Sequence, residues 1–285
     1  MKNFMITALL TMLVMLLPLQ AAPAQFQPDK IITYKQTPQG PLTLHIFEPN
    51  DHKPTDKSSC IVFFFGGSWN KGDPSHFYPQ AAHYASKGIV SVCPDYRTKN
   101  RHGTEPLVCD TDAKSAIRWV RSHAGELGID PNRIAASGGS AGGQVAASTG
   151  MTEAFNDPND DKNISPKPAA LILFNPVCDN GPPDGFGYER VKDYWQDFSP
   201  MNNINKNTPP TVIFLGKKDT LFPSAKAEEY RKLMAQAGVR CELYLYKGRT
   251  HGFFNYRNGE NEDYYDTLEK TEKFLISIGF LSPEP

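Results

Sequence analysis

Arg133-Ile134-Ala135-Ala136-Ser137-Gly138-Gly139-Ser140-Ala141-Gly142-Gly143 is the stretch from which the rest of the chain can be ordered. Arg133 to Ala136 reads as a short strand and Ala141 to Ser148 as a helix, so the glycines mark a tight turn between them. Gly138-Gly139-Ser140-Ala141-Gly142 places a serine in a G-x-S-x-G frame inside that turn. Such a turn holds the serine in a strained backbone where a Cβ two residues away would clash, hence the flanking glycines. Ser140 Oγ would then stand exposed at the C-terminal edge of a sheet. The helix N-terminus behind it adds partial positive charge and free N–H groups. A glycine-rich helix start without chemistry would use the same letters, but it would not need the strand before them.

Outward from this turn, continuous apolar runs alternate with amphipathic stretches. The runs are Ile61 to Phe65, Ile89 to Val92, Arg133 to Ala136, Ala169 to Phe174, Thr211 to Leu215 and Glu242 to Tyr246. Unbroken apolar strands are buried on both faces, as in a parallel sheet covered by helices. The helices fall at Tyr78 to Ser86, Cys109 to Leu127, Ala141 to Ser148, Ser224 to Ala237 and Asp263 to Ile278, with Ser224 as an N-cap and Gly88 and Gly238 closing helix ends. Ile31 to Lys35 and Leu42 to Phe47 precede them as an antiparallel entry, the second alternating Leu42, Leu44, Ile46. Met151 to Lys167 and Asp179 to Pro209 fit neither pattern, and the second is a candidate wall or lid over a site. No Gly, Ser or Pro run divides the chain, which reads as one domain.

A serine is a weak nucleophile at neutral pH and needs a base. Of seven histidines, His251 is best placed, in the loop Gly248-Arg249-Thr250-His251-Gly252-Phe253-Phe254 after the last strand, because loops at strand C-terminal ends share one rim of a parallel sheet. His45, His52, His76, His83, His102 and His123 lie in the entry strands, polar loops or helices and read as solvated or capping residues. The base needs a carboxylate to set its tautomer. Asp219 follows the strand Thr211 to Leu215, and Asp179 is the substitute. An oxyanion hole needs backbone N–H groups from two places. Ala141 supplies one, and Phe65-Gly66-Gly67-Ser68-Trp69, after the Ile61 to Phe65 strand, the other.

These segments, with Pro94-Asp95-Tyr96-Arg97 and Asp112-Ala113-Lys114-Ser115-Ala116-Ile117-Arg118-Trp119, resemble the α/β-hydrolase fold. More narrowly, they resemble the esterase/lipase group related to hormone-sensitive lipase and the small bacterial carbohydrate esterases. The resemblance runs from about residue 60 to 254. It implies a mostly parallel central sheet with helices on both faces, a Ser140, Asp219, His251 triad, and Gly67 and Ser68 donating to the oxyanion with Ala141 while Gly66 shapes the turn. The family's usual His-Gly-Gly-Gly is changed twice, with Phe65 for the histidine and Ser68 for the third glycine. Trp69 is expected to cover a short acyl pocket and to contact substrate with Gly66.

Met1 to Ala24 carries Lys2, an apolar run of about 14 residues, Pro18 and a small-residue end at Ala22-Pro23-Ala24, the pattern of a secretory signal peptide. The expected cut leaves residues 25–285 as the working domain, exported to the periplasm or the medium. Thirty Lys and Arg against 31 Asp and Glu give a net charge of −1, which excludes a basic footprint for nucleic acid. Five dispersed cysteines form no disulfide framework. The Asp157 to Asn163 stretch begins like a calcium loop, but Lys162 stands where the glycine is needed, so it reads as a solvated turn. No metal or cofactor is implied, and the oligomeric state is open. The expected substrate is a small-molecule or carbohydrate ester. Acetyl, or secondarily feruloyl, groups on polysaccharide, as for an acetyl xylan esterase, stand beside a generic short-chain carboxylesterase. A prolyl-oligopeptidase-type peptidase and a non-catalytic binding protein are the more distant alternatives.

Overall fold

The computed structural model describes residues 26–257 and 260–283. The expected signal segment, residues 1–24, lies outside them. In chain order the elements are β1 (Lys30–Thr37), β2 (Gly40–Phe47), β3 (Ser58–Phe64), α1 (Tyr78–Ser86), β4 (Val90–Pro94), α2 (Lys99–His102), α3 (Pro106–Ser122), β5 (Ile129–Gly139), α4 (Ala141–Met151), β6 (Ala170–Phe174), α5 (Tyr188–Val191), α6 (Trp195–Phe198), β7 (Thr211–Gly216), α7 (Ser224–Gln236), β8 (Cys241–Tyr246) and α8 (Glu262–Ser277). The strands form one sheet in the order β1-β2-β4-β3-β5-β6-β7-β8. β1 and β2 enter antiparallel, and β4 through β8 are parallel to β3.

Alternation along the strands builds two cores. Cys60, Val62 and Phe64 of β3, Leu171 and Leu173 of β6, and Ile213 and Leu215 of β7 pack with α3, α4 and α7 on one face. Their neighbours Ile61 and Phe63, Ile172 and Phe174, and Val212 and Phe214 pack with α1 and α8 on the other. A sheet buried on both faces needs no polar positions, which is why these runs are uninterrupted.

Most predicted boundaries lie within two or three residues of those observed. α3 is shifted, starting at Pro106 and ending at Ser122. Ser224 is not the N-cap of α7 but its first residue, with Pro223 at the cap position. The 152–168 excursion is tied to the body by Asp157 to Lys35 at 2.7 Å and Asp160 to Arg118 at 3.0 Å, so two of its carboxylates are held by cations. All five cysteines are free, four of them buried as small hydrophobes. Among the described residues no helix is long and apolar enough to cross a membrane.

Candidate active site

Every parallel strand from β3 to β8 except β4 delivers one component to the same rim. β5 is followed directly by Ser140, whose φ of 57° and ψ of −123° are a strained conformation for a residue with a side chain. The turn is held by Ser140 N–H donating to the Phe174 carbonyl at 3.0 Å. Gly142 is required by close approach, since a Cβ there would fall 2.1 Å from the Phe64 carbonyl and 2.2 Å from that of Phe65. The first turn of α4 therefore sits directly on the end of β3, next to the loop that follows it.

The three residues expected to act together converge. His251 Nε2 lies 2.8 Å from Ser140 Oγ, and His251 Nδ1 lies 2.7 Å from Asp219 Oδ2. The other Asp219 oxygen accepts the N–H groups of Leu221 and Phe222 at 2.9 and 3.2 Å, which fixes the carboxylate plane. Asp179 is no substitute: it pairs with Lys226 at 2.9 Å and takes no part in the relay. Asn175, after β6, was not singled out by its sequence context. It has a φ of 32°, accepts the Gly252 N–H at 2.9 Å and turns its amide nitrogen to His251 Nε2 at 3.4 Å, so it holds the histidine loop against the serine.

The oxyanion loop bends through three consecutive positive φ values, 132° at Gly67, 56° at Ser68 and 60° at Trp69. Gly67 is the position where no side chain fits, a Cβ there falling 2.1 Å from the Lys71 carbonyl. Gly66, Gly67, Ser68 and Ser140 line one cavity of about 260 Å³, with His76, Asn175, Leu221, His251, Gly252, Phe254 and Asn255. Among the described residues the Gly67 and Ser68 N–H groups make no hydrogen bond. The Ala141 N–H opens α4, where no intrahelical acceptor exists for it. Three donors beside a nucleophile are what an acyl-transfer oxyanion requires.

The two departures in this loop have physical explanations. Phe65 is fully buried and stacks on Tyr96 with ring centroids 3.9 Å apart, while Tyr96 hydroxyl donates to the Phe65 carbonyl. The segment carrying Tyr96 is pinned in turn by Arg97, which grips Asp112 through two bonds of 2.8 Å. Ser68 keeps its backbone donor, and its carbonyl accepts Arg190 Nη1 at 2.7 Å.

Trp69 requires a correction. It does not line the cavity but is 1% exposed, packed against Phe186 and Phe198, with the Arg190 guanidinium 5.5 Å from its ring centroid. Its Nε1 donates to Gln144 Oε1 at 2.9 Å, and Gln144 Nε2 donates to Asp110 at 3.1 Å. Burial pushes the Asp110 carboxyl well above the usual carboxylate range. Trp69 is thus the post on which the 179–209 excursion is seated. Tyr194 and Phe198 pack on each other and on Phe155, so these aromatics pack within the excursion and are not part of the cavity wall. Of the six histidines read as bland, His45, His52, His83, His102 and His123 bond to groups away from the cavity, His52 to the Leu127 carbonyl and His83 to Glu272 among them. His76 alone faces the cavity.

A family model for BD-FAE matches residues 44–186, and one for the dienelactone hydrolase family matches residues 194–279. The esterase 2 of Thermogutta terrifontis, solved after phosphorylation by paraoxon, superposes with a TM-score of 0.85 at 44% identity, covering 90% of this chain and 96% of that one. The same esterase with propionate bound gives 0.86 at 43% identity, with the same coverage. Carboxylesterase NlhH of Mycobacterium tuberculosis is 29% identical over 70% of this chain and 68% of its own length. The chain spans about half the length of several other curated relatives, 57%, 54% and 50% of three of them. With a nucleophile elbow, a Ser-His-Asp relay and an unpartnered pair of loop N–H groups on one sheet rim, the chain belongs to the BD-FAE family of α/β-hydrolase-fold esterases.

Proposed function

We propose that this protein is a serine carboxylesterase that acts through an acyl-enzyme on short acyl esters. One observation carries the reading: the Ser140, His251, Asp219 relay opens on a cavity of about 260 Å³ that the unpartnered Gly67 and Ser68 N–H groups share. Ser140 Oγ attacks the ester carbonyl as His251 Nε2 takes its proton, and Asp219 stabilises the imidazolium. The carbonyl oxygen becomes an anion against Gly67, Ser68 and Ala141. Collapse breaks the bond to the alcohol, whose oxygen receives the proton from His251. Water then gives a proton to His251 and attacks the acyl-enzyme, releasing the carboxylic acid and restoring Ser140.

The small cavity, walled in part by Leu221 and Phe254, favours a short acyl chain, and the T. terrifontis esterase has been solved with propionate and with butyrate bound. kcat/KM on p-nitrophenyl esters is expected to peak at two to four carbons and to fall at least about tenfold by eight, because a pocket wall discriminates strongly per methylene. An octanoyl ester turned over as fast as the butyryl one would remove the short-chain reading. Absence of turnover on the whole series would remove the esterase reading.

A second reading, acetyl groups on carbohydrate, is favoured by a polar cleft beside the histidine loop. It shares Asn255 with the cavity and is lined by Arg249, Arg257, Glu262 and Asp263. Acetate release from acetylated xylan tests it, and no release rejects it. We also propose export through the N-terminal segment read in the sequence. Mass spectrometry of the protein secreted by its native host is expected to place the mature N-terminus at Gln25, and an intact Met1 or Lys2 would reject processing.

A further inference from the structure

The cavity contains an imidazole that the ester-hydrolysis steps do not use. His76 lies in the short turn Pro74–Phe77 below α1 and reaches across to the oxyanion loop. Its Nδ1 is 2.9 Å from the Gly66 backbone nitrogen, and its Nε2 is 2.7 Å from Asn255 Oδ1. The direction of every proton in this chain is determined. A backbone N–H only donates, so His76 Nδ1 is the acceptor and the ring proton sits on Nε2. From the other end, Asn255 Nδ2 meets the Gly252 carbonyl at 3.0 Å, a group that only accepts, so Asn255 Oδ1 is the oxygen facing His76. Gly252 N–H in turn donates to Asn175, which touches His251. The oxyanion loop and the histidine loop are therefore joined by one run of hydrogen bonds around the cavity wall.

We propose that His76 is a positioning residue: by accepting the Gly66 N–H it fixes the peptide that precedes the Gly67 and Ser68 donors, and so sets the oxyanion hole against Ser140. Gly66 transmits the constraint because it is wedged in place. A Cβ there would fall 2.9 Å from the Gly139 carbonyl and 3.3 Å from both Ser140 Cβ and His76 Cε1. The Gly66 N–H, spent on His76, is removed from the set of oxyanion donors, leaving the two that follow. Burial holds the imidazole below the usual histidine range, ahead of the opposing effects of the Asn255 bond and Asp73, which keeps the neutral form that the acceptor role needs.

This rests on the esterase reading, and the test separates the two. His76→Asn can place its Oδ1 near the Nδ1 position and keep the Gly66 bond. His76→Gln reaches toward Asn255 without an acceptor at Gly66, and His76→Leu keeps only volume. On p-nitrophenyl butyrate, kcat is expected to fall roughly 10²-fold in His76→Gln and His76→Leu, with KM little changed, and to stay within about tenfold of wild type in His76→Asn. Affinity for a butyl trifluoromethyl ketone, which forms a tetrahedral oxyanion on the serine, is expected to fall by the same factors as kcat. Thermal melts accompany each variant. Wild-type kcat in a folded His76→Leu, equal losses in His76→Asn and His76→Gln, or failure of all three to fold would overturn the proposal and assign His76 to packing. Absence of activity in the wild type would instead overturn the esterase reading itself.

Discussion

Replacing Ser140 by alanine is expected to lower kcat on a short acyl ester by on the order of 10⁶-fold, with the melting temperature unchanged. The size of the loss follows from the relay. With Oγ gone, His251 Nε2 has no nucleophile to deprotonate, and Asp219 steadies an imidazole that has no work. What remains is the oxyanion hole and binding, which in a well-studied protease retain only about 10³- to 10⁴-fold over water. The fold should not respond, because the elbow is held by main-chain groups. Ser140 N–H bonds to Phe174, and its carbonyl accepts Gly143, Gln144 and Val177. The positive φ of 57° is equally demanding for alanine and serine, since both carry a Cβ. Rates of p-nitrophenyl acetate hydrolysis beside thermal melts decide the matter: more than a few per cent of wild-type kcat in a folded variant removes Ser140 from the mechanism.

What could be read before folding is what periodicity and chain order encode. The central parallel strands were legible because β3, β4, β6 and β7 are buried on both faces, whereas the edge strand β8 is only half-buried, and the acid and base were legible because strand C-terminal ends converge on one rim. Asp219 and Asp179 were harder to separate, since both follow strands. Only the pairing of Asp179 with Lys226 and of Asp219 with His251 tells them apart. The four-residue helices α5 and α6 are shorter than the window in which an amphipathic period shows.

Trp69 and His76 were misplaced for a different reason: each depends on contacts that no local pattern specifies. Trp69 follows two glycines and a serine, as a pocket residue would. Yet a φ of 60° and the rings of Phe186 and Phe198, more than a hundred positions away, put it beneath the excursion. His76 sits in an ordinary helix-start context, Asp73-Pro74-Ser75-His76, where Ser75 N–H donates to the Asp73 carboxylate as a capping bond that accounts for the turn. Its bond to Asn255 spans 179 positions and is created only when β3 and β8 come to lie on the same sheet rim. The one local signal was the substitution of Phe65 at the position where the resembled family carries a histidine, which left the loop in need of another anchor.

Asp219→Asn is expected to lower kcat by about 10⁴-fold while leaving the side chain in place, and the reason is the orientation its neighbours impose. One Asp219 oxygen accepts two backbone N–H groups, from Leu221 and Phe222, and these donors cannot reverse their role. An asparagine here must turn its carbonyl oxygen to them, which leaves its amide nitrogen facing His251 Nδ1. The amide donates, so Nδ1 becomes an acceptor and the ring proton moves to Nε2, the atom 2.8 Å from Ser140 Oγ. The base is then blocked at the position where it must take the serine proton, although every heavy atom is where it was. Because the defect lies in the base and leaves the oxyanion donors intact, KM should hold while kcat falls. Asp219→Ala distinguishes tautomer from mere loss of a partner. It frees Nδ1 to either state and should retain more activity than the asparagine variant, as judged by kcat on p-nitrophenyl acetate with each variant's fold checked by melting. Equal loss in the two, or a folded asparagine variant within tenfold of wild type, would show that Asp219 does not set the proton position on His251.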